Sequence, residues 1–363
     1  MTAATVAVVH AAALRHNLQR VRDLAPGCPV MAVVKANAYG HGAAAVARTL
    51  RDVDAFAVAR IEEGIQLREA GISTRIVLLG GVVTMAEARE AVAHRLDLVV
   101  HSLWQVDLLE SAPGLGPLDL WLKADTGMGR LGLGPADTAD ARRRLLAWRG
   151  CGTLRLMTHF ASADNLALDA TVTQLAGFRR LTQDWAGDIS LANSAAILQW
   201  PESVRAVTAK NWVRPGLMLY GASPVSGRSA ASFGLKPAMS FEARLIAVKS
   251  LPAGHRVGYG GDWQCEQESL VGVVAAGYAD GYPWHVSRGT PVMVNGWRTR
   301  VLGRVSMDMV SVDLTGGPPS APGDRVLLWG DGLPVEEIAS CAGRIPYELL
   351  TDISPRVARQ FRD

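Results

Sequence analysis

Short runs of apolar residues recur along the first two thirds of the chain, and each is followed by a longer segment with helical spacing. Runs without polar alternation are typical of strands buried on both faces of a parallel sheet. After the second run, Ile61, Ile65 and Leu67 lie on one side of a predicted helix that Gly71 ends. The eight predicted strands are Val30–Val34, Ala55–Ala59, Ile76–Leu79, Leu96–Val100, Leu118–Leu122, Leu154–Met157, Ile189–Ala192 and Leu217–Tyr220.

Eight strand–helix units in about 200 residues predict an α/β fold with an N-terminal (β/α)8 barrel of the TIM type. A doubly wound open sheet is the alternative. After residue 232 the pattern changes to strand-like segments separated by turns, among them Asn295–Gly296, a strong hairpin signal. We therefore predict a barrel domain at residues 10–232 and a C-terminal mainly-β domain at residues 233–363. Residues 1–9 are a candidate additional strand of the second domain. The strand-like segments are Ser240–Val248, Leu270–Ala275, Thr290–Val294 and Asp324–Leu328.

The composition excludes several classes of protein. The net charge of +3 and the scattered arginines argue against a nucleic-acid partner. The four cysteines are far apart in the sequence, which argues against a zinc site or a disulfide framework. No basic residue precedes the first apolar stretch, and no apolar run is long enough to span a bilayer. We expect a cytoplasmic enzyme with no metal and no membrane partner.

Polar residues follow the predicted strands at their carboxyl ends, where barrel enzymes build their active sites. Several of them are cationic, which solubility alone does not explain. The residues at these ends are Lys35, Asn37, Tyr39, His41, Lys123, Asp125, Arg130, His159, Asn193 and Ser194, with Arg214 just before the eighth run.

Lys35 directly follows the first apolar run. A lysine in such a poorly solvated place has a lowered pKa, and a neutral amine can condense with an aldehyde. The alternative is a strand-end lysine whose charge reaches solvent. The segment Val33–Gly42 closely resembles the cofactor-attachment signature of alanine racemases, with Asn37 where Asp often stands. The resemblance implies that pyridoxal 5'-phosphate is bound covalently at Lys35.

A second segment, Lys123–Gly132, resembles another block of the same family. The resemblance implies that Arg130 binds the substrate carboxylate and the phenolic oxygen of the cofactor, a task that suits the two-pronged guanidinium group. In some members the lysine that matches Lys123 is carbamylated. The block also contains a Gly-x-Gly-x-x-Gly spacing, but Gly134–Pro135 follows where a dinucleotide-binding fingerprint needs a helix, so we reject that interpretation.

A third segment, Val213–Gly221, also resembles the family. It implies that Arg214 donates to the pyridine nitrogen of the cofactor. Because an arginine does not give up its proton, the ring stays a weak electron sink, which disfavours transamination and decarboxylation. His159 would buttress the ring, although a structural histidine is the alternative. The resemblance assigns the phosphate to Ser194, Tyr39 and the amides of Gly216 and Leu217, and turn amides are natural anion sites.

Racemisation removes a proton from one face of Cα and returns one to the other face, so a second acid–base group is expected beside Lys35. The segment Ala275–Pro283 resembles the catalytic tyrosine segment of the family, with Tyr278 at the matching place. A phenol is a weak acid and needs a positive neighbour, which family precedent supplies through a histidine–arginine chain. A packing tyrosine is the alternative.

The resemblance also implies an obligate head-to-tail homodimer, in which the tyrosine reaches the lysine of the other subunit. Gly303–Met309 resembles the block that lines the shared pocket, with Met307 and Asp308 near the substrate. Two positions depart from the family pattern. Trp284 stands where many members have a basic residue, and Pro355 stands where some place a phosphate-binding tyrosine.

Together these residues predict an alanine racemase that interconverts L-alanine and D-alanine through Lys35 and Tyr278. Its substrate would be a small amino acid, and its product D-alanine would supply the bacterial cell wall. The alternatives are a broad-specificity amino-acid racemase of the same fold and a non-catalytic protein that binds pyridoxal phosphate. A related decarboxylase is disfavoured because the chain lacks the downstream cysteine block of that class.

Overall fold

The computed structural model describes residues 4–112, 114–205 and 210–363. The chain begins with strand β1 (Thr5–His10) and helix α1 (Ala11–Leu24), which lead into the first of two eight-stranded sheets. No helix in these described ranges is long and apolar enough to cross a lipid bilayer.

The first sheet is a closed barrel of eight parallel strands in sequence order. Closure comes from the pairing of Val30 with Val213 and from the amide of Val33, which donates to the carbonyl of Pro215 at 2.9 Å. An open doubly wound sheet is therefore excluded. The strands are β2 (Met31–Val33), β3 (Ala55–Val58), β4 (Arg75–Leu78), β5 (Leu96–Val100), β6 (Leu118–Lys123), β7 (Cys151–Met157), β8 (Ile189–Asn193) and β9 (Asn211–Arg214).

Helices follow most barrel strands, and the longer ones cover the outside of the barrel, whereas the first is a short left-handed turn at the barrel mouth. The helix predicted from Ile61 is confirmed, and it ends before Gly71, whose φ is 83°. The barrel helices are α2 (Lys35–Tyr39), α3 (Ala43–Thr49), α4 (Ile61–Glu69), α5 (Met85–Ala93), α6 (Leu103–Glu110), α7 (Pro135–Ala147), α8 (Ala170–Leu181) and α9 (Ser194–Gln199).

One predicted strand is wrong. Leu217–Tyr220 forms a short 3-10 helix, and the eighth strand is β9, which lies just before it. All four residues of the 3-10 helix are buried, and a short buried apolar run looks the same in a strand and in a helix. The polar ends of β9 hid the true strand, because Asn211 and Arg214 are buried with their side chains hydrogen-bonded inside the barrel.

The second sheet holds eight strands, and β1 lies in it between the first and last strands of the C-terminal region. The predicted Asn295–Gly296 hairpin is confirmed: Val294 pairs with Trp297, and φ is 48° and 84° at the two turn residues. The strands after the barrel are β10 (Met239–Leu251), β11 (Arg256–Val257), β12 (Trp263–Gln264), β13 (Ser269–Val274), β14 (Pro291–Val294), β15 (Trp297–Leu302), β16 (Val310–Asp313), β17 (Arg325–Trp329) and β18 (Ala358–Arg362).

Two helices complete the C-terminal region, α10 (Val335–Ala342) and α11 (Pro346–Thr351). Strands β11 and β12 form a separate two-stranded ribbon. Helix α11 packs against the turn α2, which brings the C-terminal region to the open end of the barrel.

Candidate active site

A cavity of about 540 Å³ lies at the carboxyl ends of the barrel strands. It collects most of the barrel residues singled out from the sequence, although they are spread over almost 200 positions of the chain, and Asn37, His41 and Asp125 do not line it. Those that line it are Lys35, Tyr39, Lys123, Arg130, His159, Asn193, Ser194, Arg214, Gly216 and Leu217.

Lys35 stands just after β2, at the first position of a left-handed turn. The four residues from Ala36 to Tyr39 have φ between 50° and 54°, a conformation that costs L-residues about 1–2 kcal/mol each. Burial, followed by the positive charge of Arg130, lowers the pKa of the Lys35 amine. The turn thus presents a half-buried amine that loses its proton more easily than a surface lysine.

Arg214 is buried at the end of β9, and its guanidinium is held from several directions. It donates to the carbonyl of Thr158 and to the hydroxyl of Ser190, and Nη2 lies 3.2 Å from Nδ1 of His159. Burial lowers the pKa of Arg214 to about 10, so the group remains a cation at neutral pH. Burial, together with the charge of Arg214, holds the pKa of His159 well below its ordinary value. The imidazole is therefore neutral, and its Nδ1 accepts from the arginine.

Lys123 is the last residue of β6 and is 9% exposed. Burial, followed by the charges of Arg214 and Arg130, lowers its pKa to about 8. Arg130 itself lies on the loop after β6, which the carboxylate of Asp125 shapes by accepting three backbone amides at 2.8–2.9 Å.

Among the described ion pairs, none joins a carboxylate to Lys35, Lys123, Arg130 or Arg214. The cavity wall is therefore strongly cationic, because the one carboxylate among its described lining residues, that of Glu348, pairs with Arg344. Such a wall is suited to anionic ligands.

One side of the cavity is a cradle of backbone amides. The hydroxyl of Ser194 accepts from the amides of Gly216 and Met218 at 2.8 and 3.3 Å. A Cβ at Gly216 would lie 2.5 Å from the hydroxyl oxygen of Tyr39, so only glycine leaves room there. The amides at the start of the 3-10 helix and the two hydroxyls together form a site that can hold a small anion.

The three remaining predicted residues lie elsewhere. Tyr278, Met307 and Asp308 line a second cavity of about 470 Å³ in the C-terminal region, which shares no residue with the barrel cavity. Tyr278 is 42% exposed and Met307 53% exposed. Within one chain, therefore, the structure does not bring Tyr278 to Lys35.

The backbone around Tyr278 is nevertheless well held. Its amide donates to the carbonyl of Ser306 at 3.1 Å, and the next amide donates to the carbonyl of Met307. Arg356 joins Asp280 to Asp308 through contacts of 2.7 and 2.8 Å. Trp284, one of the departures from the family pattern, lines the same second cavity and is 58% exposed.

Sequence reasoning missed the contribution of helix α11. Tyr347, Glu348 and Thr351 line the barrel cavity, and the ring of Tyr347 lies 6.0 Å from that of Tyr39. Burial raises the pKa of Tyr347 to about 12, so it remains a neutral phenol. Pro355, which stands where some family members have a phosphate-binding tyrosine, is exposed. The nearby Tyr347, at the start of a short helix, is the signal from which this contribution could have been predicted.

Glu63 was also missed. It lies in the first turn of α4, where its carboxylate accepts the amide of Ala36 at 2.6 Å. From sequence alone, Glu62–Glu63 in the first turn of a helix indicates only a favourable helix start. The described residues include no group of three or more His, Cys, Asp or Glu side chains arranged to hold a metal ion.

Comparison with protein families places these features in a known group. The family model described as alanine racemase, N-terminal domain, matches residues 9–224, and the one described as alanine racemase, C-terminal domain, matches residues 238–361. The fold and the site therefore define an enzyme of the barrel-fold racemase class, isomerases that depend on pyridoxal phosphate.

Individual relatives cover almost the whole chain. The alanine racemases of Shewanella amazonensis and Nitrosococcus oceani are 47% and 49% identical over 361 and 354 residues, 97% of this chain and 97% and 98% of theirs. The crystal structure of the biosynthetic alanine racemase from Pseudomonas aeruginosa matches with a TM-score of 0.95 at 44% identity over 100% of both chains. The structure of the alanine racemase from Acinetobacter baumannii matches with a TM-score of 0.92 at 34% identity, over 99% of this chain and 100% of that one. The chain belongs to the alanine racemase family.

Proposed function

We propose that this enzyme interconverts L-alanine and D-alanine, with pyridoxal 5'-phosphate bound at Lys35 and with Tyr278 of a second subunit as the other acid–base group. The observation that carries the proposal is the cationic barrel cavity, which has a lysine of lowered pKa at one end and an amide cradle at the other. The cofactor carries a phosphate and the substrate a carboxylate, so both meet this wall favourably.

The residues present fit the cofactor. The room left at Gly216 beside the hydroxyl of Tyr39 suits a phosphate oxygen, with Ser194 and the amide of Leu217 as further donors. Arg214 has its two terminal nitrogens engaged by protein atoms, and no described hydrogen bond involves its Nε, which leaves Nε for the pyridine nitrogen. His159 packs beside this arginine and would support the ring.

When bound, pyridoxal phosphate withdraws electrons from Cα of an amino acid and makes its α-hydrogen acidic. The chain supplies the groups that move the proton. Lys35, with its lowered pKa, takes or returns the proton on one face of Cα, and Tyr278 acts on the opposite face. Arg130 holds the substrate carboxylate, and Met307 and Asp308 of the partner close the pocket.

Lys123 fits a carbamate. Carbon dioxide reacts with a neutral amine, and a pKa of about 8 makes a substantial fraction of Lys123 neutral near physiological pH. The resulting anion would balance Arg130 and Arg214, the cations that lower this pKa, and it would orient Arg130. This assignment is part of the proposal.

A homodimer with shared active sites explains why Tyr278 lies in a separate cavity of the single chain. The surface around Tyr278 exposes Trp284, Met307 and Tyr259, and large exposed apolar side chains in a cluster mark an interaction surface. Leu131 and Leu166 are exposed on loops that follow barrel strands. We propose that one subunit covers the barrel mouth of the other with its Tyr278 surface.

Two further assignments complete the proposal. The product D-alanine would serve cell-wall synthesis. All four cysteines are free, which agrees with a reducing compartment such as the cytoplasm. The size of the substrate pocket would depend on Met307 and Trp284 of the partner subunit, which lie outside the single-chain cavity. A chiral assay over a panel of amino acids therefore distinguishes an alanine racemase from a broad-specificity racemase.

The first test is borohydride reduction of the cofactor-loaded enzyme followed by peptide mapping, with a chiral assay over a panel of amino acids. We expect the reduced adduct on Lys35 and racemisation of alanine well above that of larger amino acids. Tyr278→Phe should keep the adduct and lose turnover. An adduct on another lysine would overturn the cofactor assignment, and comparable rates across the panel would favour the broad-specificity alternative.

The second test addresses the shared site. Lys35→Met and Tyr278→Phe chains, each inactive alone, are mixed under conditions that exchange subunits. If the site is shared, each mixed dimer has one intact site, and an equal mixture should regain about a quarter of wild-type activity. If Lys35 and Tyr278 of the same chain worked together, no intact site would form and activity would stay at background. Lys35→Met mixed with Lys35→Ala is the control.

A further inference from the structure

The left-handed turn after Lys35 requires an explanation because none of its four residues is glycine. Ala36, Asn37, Ala38 and Tyr39 all have φ near 50°, and such a conformation persists only where surrounding contacts hold it. Asn37 can adopt it at a lower cost than alanine. The question is which side chains hold the turn at its start, where it determines the direction of Lys35.

Glu63 contacts the peptide unit that joins Lys35 to the turn. One carboxylate oxygen accepts the amide of Ala36 at 2.6 Å, and the other accepts the amides of Ala59 and Arg60 at 2.8 and 3.1 Å. A single carboxylate therefore connects the residue after Lys35 to the loop after β3. Hydrogen bonds to a charged acceptor are stronger than those between neutral groups.

The position of Glu63 in the fold makes this connection rigid. It is the third residue of α4, and its contact with the amide of Arg60 is also the cap of that helix. Ile61 and Leu67 anchor the helix in the core. The start of the turn is thus tied to a packed helix of the barrel wall and not to another loop.

Other parts of the turn have their own supports. Nδ1 of His41 donates to the carbonyls of Ala38 and Tyr39, at 3.1 and 2.8 Å, and Arg359 donates to the carbonyl of Gly40 at 3.0 Å. These contacts hold the far end of the turn. Among the described hydrogen bonds, Glu63 provides the one side-chain contact to the amide of Ala36.

We propose that Glu63 is a positioning residue for Lys35, and that its bridge between the amide of Ala36 and those of Ala59 and Arg60 directs the Lys35 amine into the cavity. The inference rests on the proposed function for its effect on turnover. The geometry of the bridge itself does not depend on the cofactor.

The negative charge of Glu63 has a second effect. It raises the pKa of Lys35 and so opposes the lowering by burial and by Arg130. Removal of this charge should therefore lower the pKa of Lys35 further, and a purely structural role for Glu63 would leave that pKa unchanged. The two effects can be separated by two substitutions.

The test compares Glu63→Gln, Glu63→Asp and the control Glu62→Gln. Glu62 precedes Glu63 in the same helical turn, is exposed, and makes no described hydrogen bond to the turn, so its substitution removes a similar helix-start charge without touching the bridge. Glu63→Gln removes the charge and keeps one acceptor oxygen. Glu63→Asp keeps the charge and is shorter by one methylene.

The first readout is acetylation of Lys35 in the cofactor-free full chain over a pH series, followed by mass spectrometry of its peptide. The midpoint should move to lower pH in Glu63→Gln and stay near the wild-type value in Glu63→Asp and Glu62→Gln. An unchanged midpoint in Glu63→Gln would overturn the electrostatic part of the inference.

The second readout is the steady-state kinetics of the loaded enzyme, with thermal denaturation to confirm folding. Both Glu63 variants should lose about tenfold or more in kcat with a smaller change in KM, because the lost contact positions the reacting amine. Wild-type kcat in both variants would overturn the positioning role. If the wild type itself failed to racemise alanine while the acetylation midpoint still moved, the proposed function would fall and the effect of Glu63 on Lys35 would stand.

Discussion

The two ends of the barrel hold their charged side chains in opposite ways. At the mouth, Lys35, Lys123, Arg130 and Arg214 stand together with no carboxylate among their described ion-pair partners. Near the amino ends of the strands lies a group that we call the floor network, in which arginines alternate with aspartates. It consists of Arg75, Asp97, Asp119, Arg155 and Asp188.

The contacts within the floor network are extensive. Arg75 bridges Asp97 and Asp119, the latter at 2.6 Å. Arg155 lies 3.6–3.7 Å from three aspartates and 5.5 Å from the ring centre of Trp121. Opposite charges therefore surround every member of the network, although at Asp97 burial outweighs them and raises its pKa to about 6.

The barrel mouth and the floor network show two different roles of charged side chains, binding and stability. Opposite charges offset part of the desolvation cost of a buried charge, and removal of one partner leaves that cost uncompensated. A buried charge without partners has a shifted pKa and is available to a ligand. In a barrel enzyme the mouth carries function and the opposite end carries stability, and the charges here follow that division.

The comparison predicts a large loss of stability from the floor. Arg155→Met should lower the free energy of unfolding by about 3–5 kcal/mol, because Asp97, Asp119 and Asp188 lose a shared cation. Lys35→Met is the matched variant at the mouth, and it should abolish racemisation and leave stability equal to or above that of the wild type. Denaturant unfolding of both variants checks this. Equal losses of stability would remove the distinction between the two ends.

A smaller effect should come from Lys123. Its pKa in the folded enzyme is about 8, below the value of 10.5 expected for an exposed lysine. Between these values the unfolded chain holds a proton that the folded chain lacks, so the free energy of unfolding should rise with pH from about 8 to about 10.5. The gain should reach about 3 kcal/mol at most.

Lys123→Met should lack this gain when both proteins are unfolded by denaturant in buffers free of carbon dioxide. Added bicarbonate near pH 8 should stabilise the wild type and not the variant if Lys123 forms a carbamate. If the free energy of unfolding varied with pH in the same way in both proteins, the pKa of Lys123 would not be lowered by burial.

Short segments of the sequence predicted the site residues correctly where those residues lie near strand ends. Lys35 and Arg214 stand just after and at the end of a strand, Arg130 lies on the loop after a third strand, and all three line one cavity. The strand pattern predicted the barrel, and Asn295–Gly296 predicted its hairpin. The eighth strand was missed because its buried polar ends, Asn211 and Arg214, donate hydrogen bonds to partners that no local pattern reveals.

The sequence by itself therefore determined which side chains are candidates for the site and the order of the strands that carry them. Both are encoded in runs of fewer than about ten residues. What only the tertiary structure decided is which of those groups share an environment. Glu63, which follows β3, reaches the peptide after Lys35 at the end of the neighbouring β2, and Tyr347 reaches Tyr39 from the far end of the chain. Contacts, burial and the resulting pKa shifts depend on distances in space, and separation along the chain does not report them.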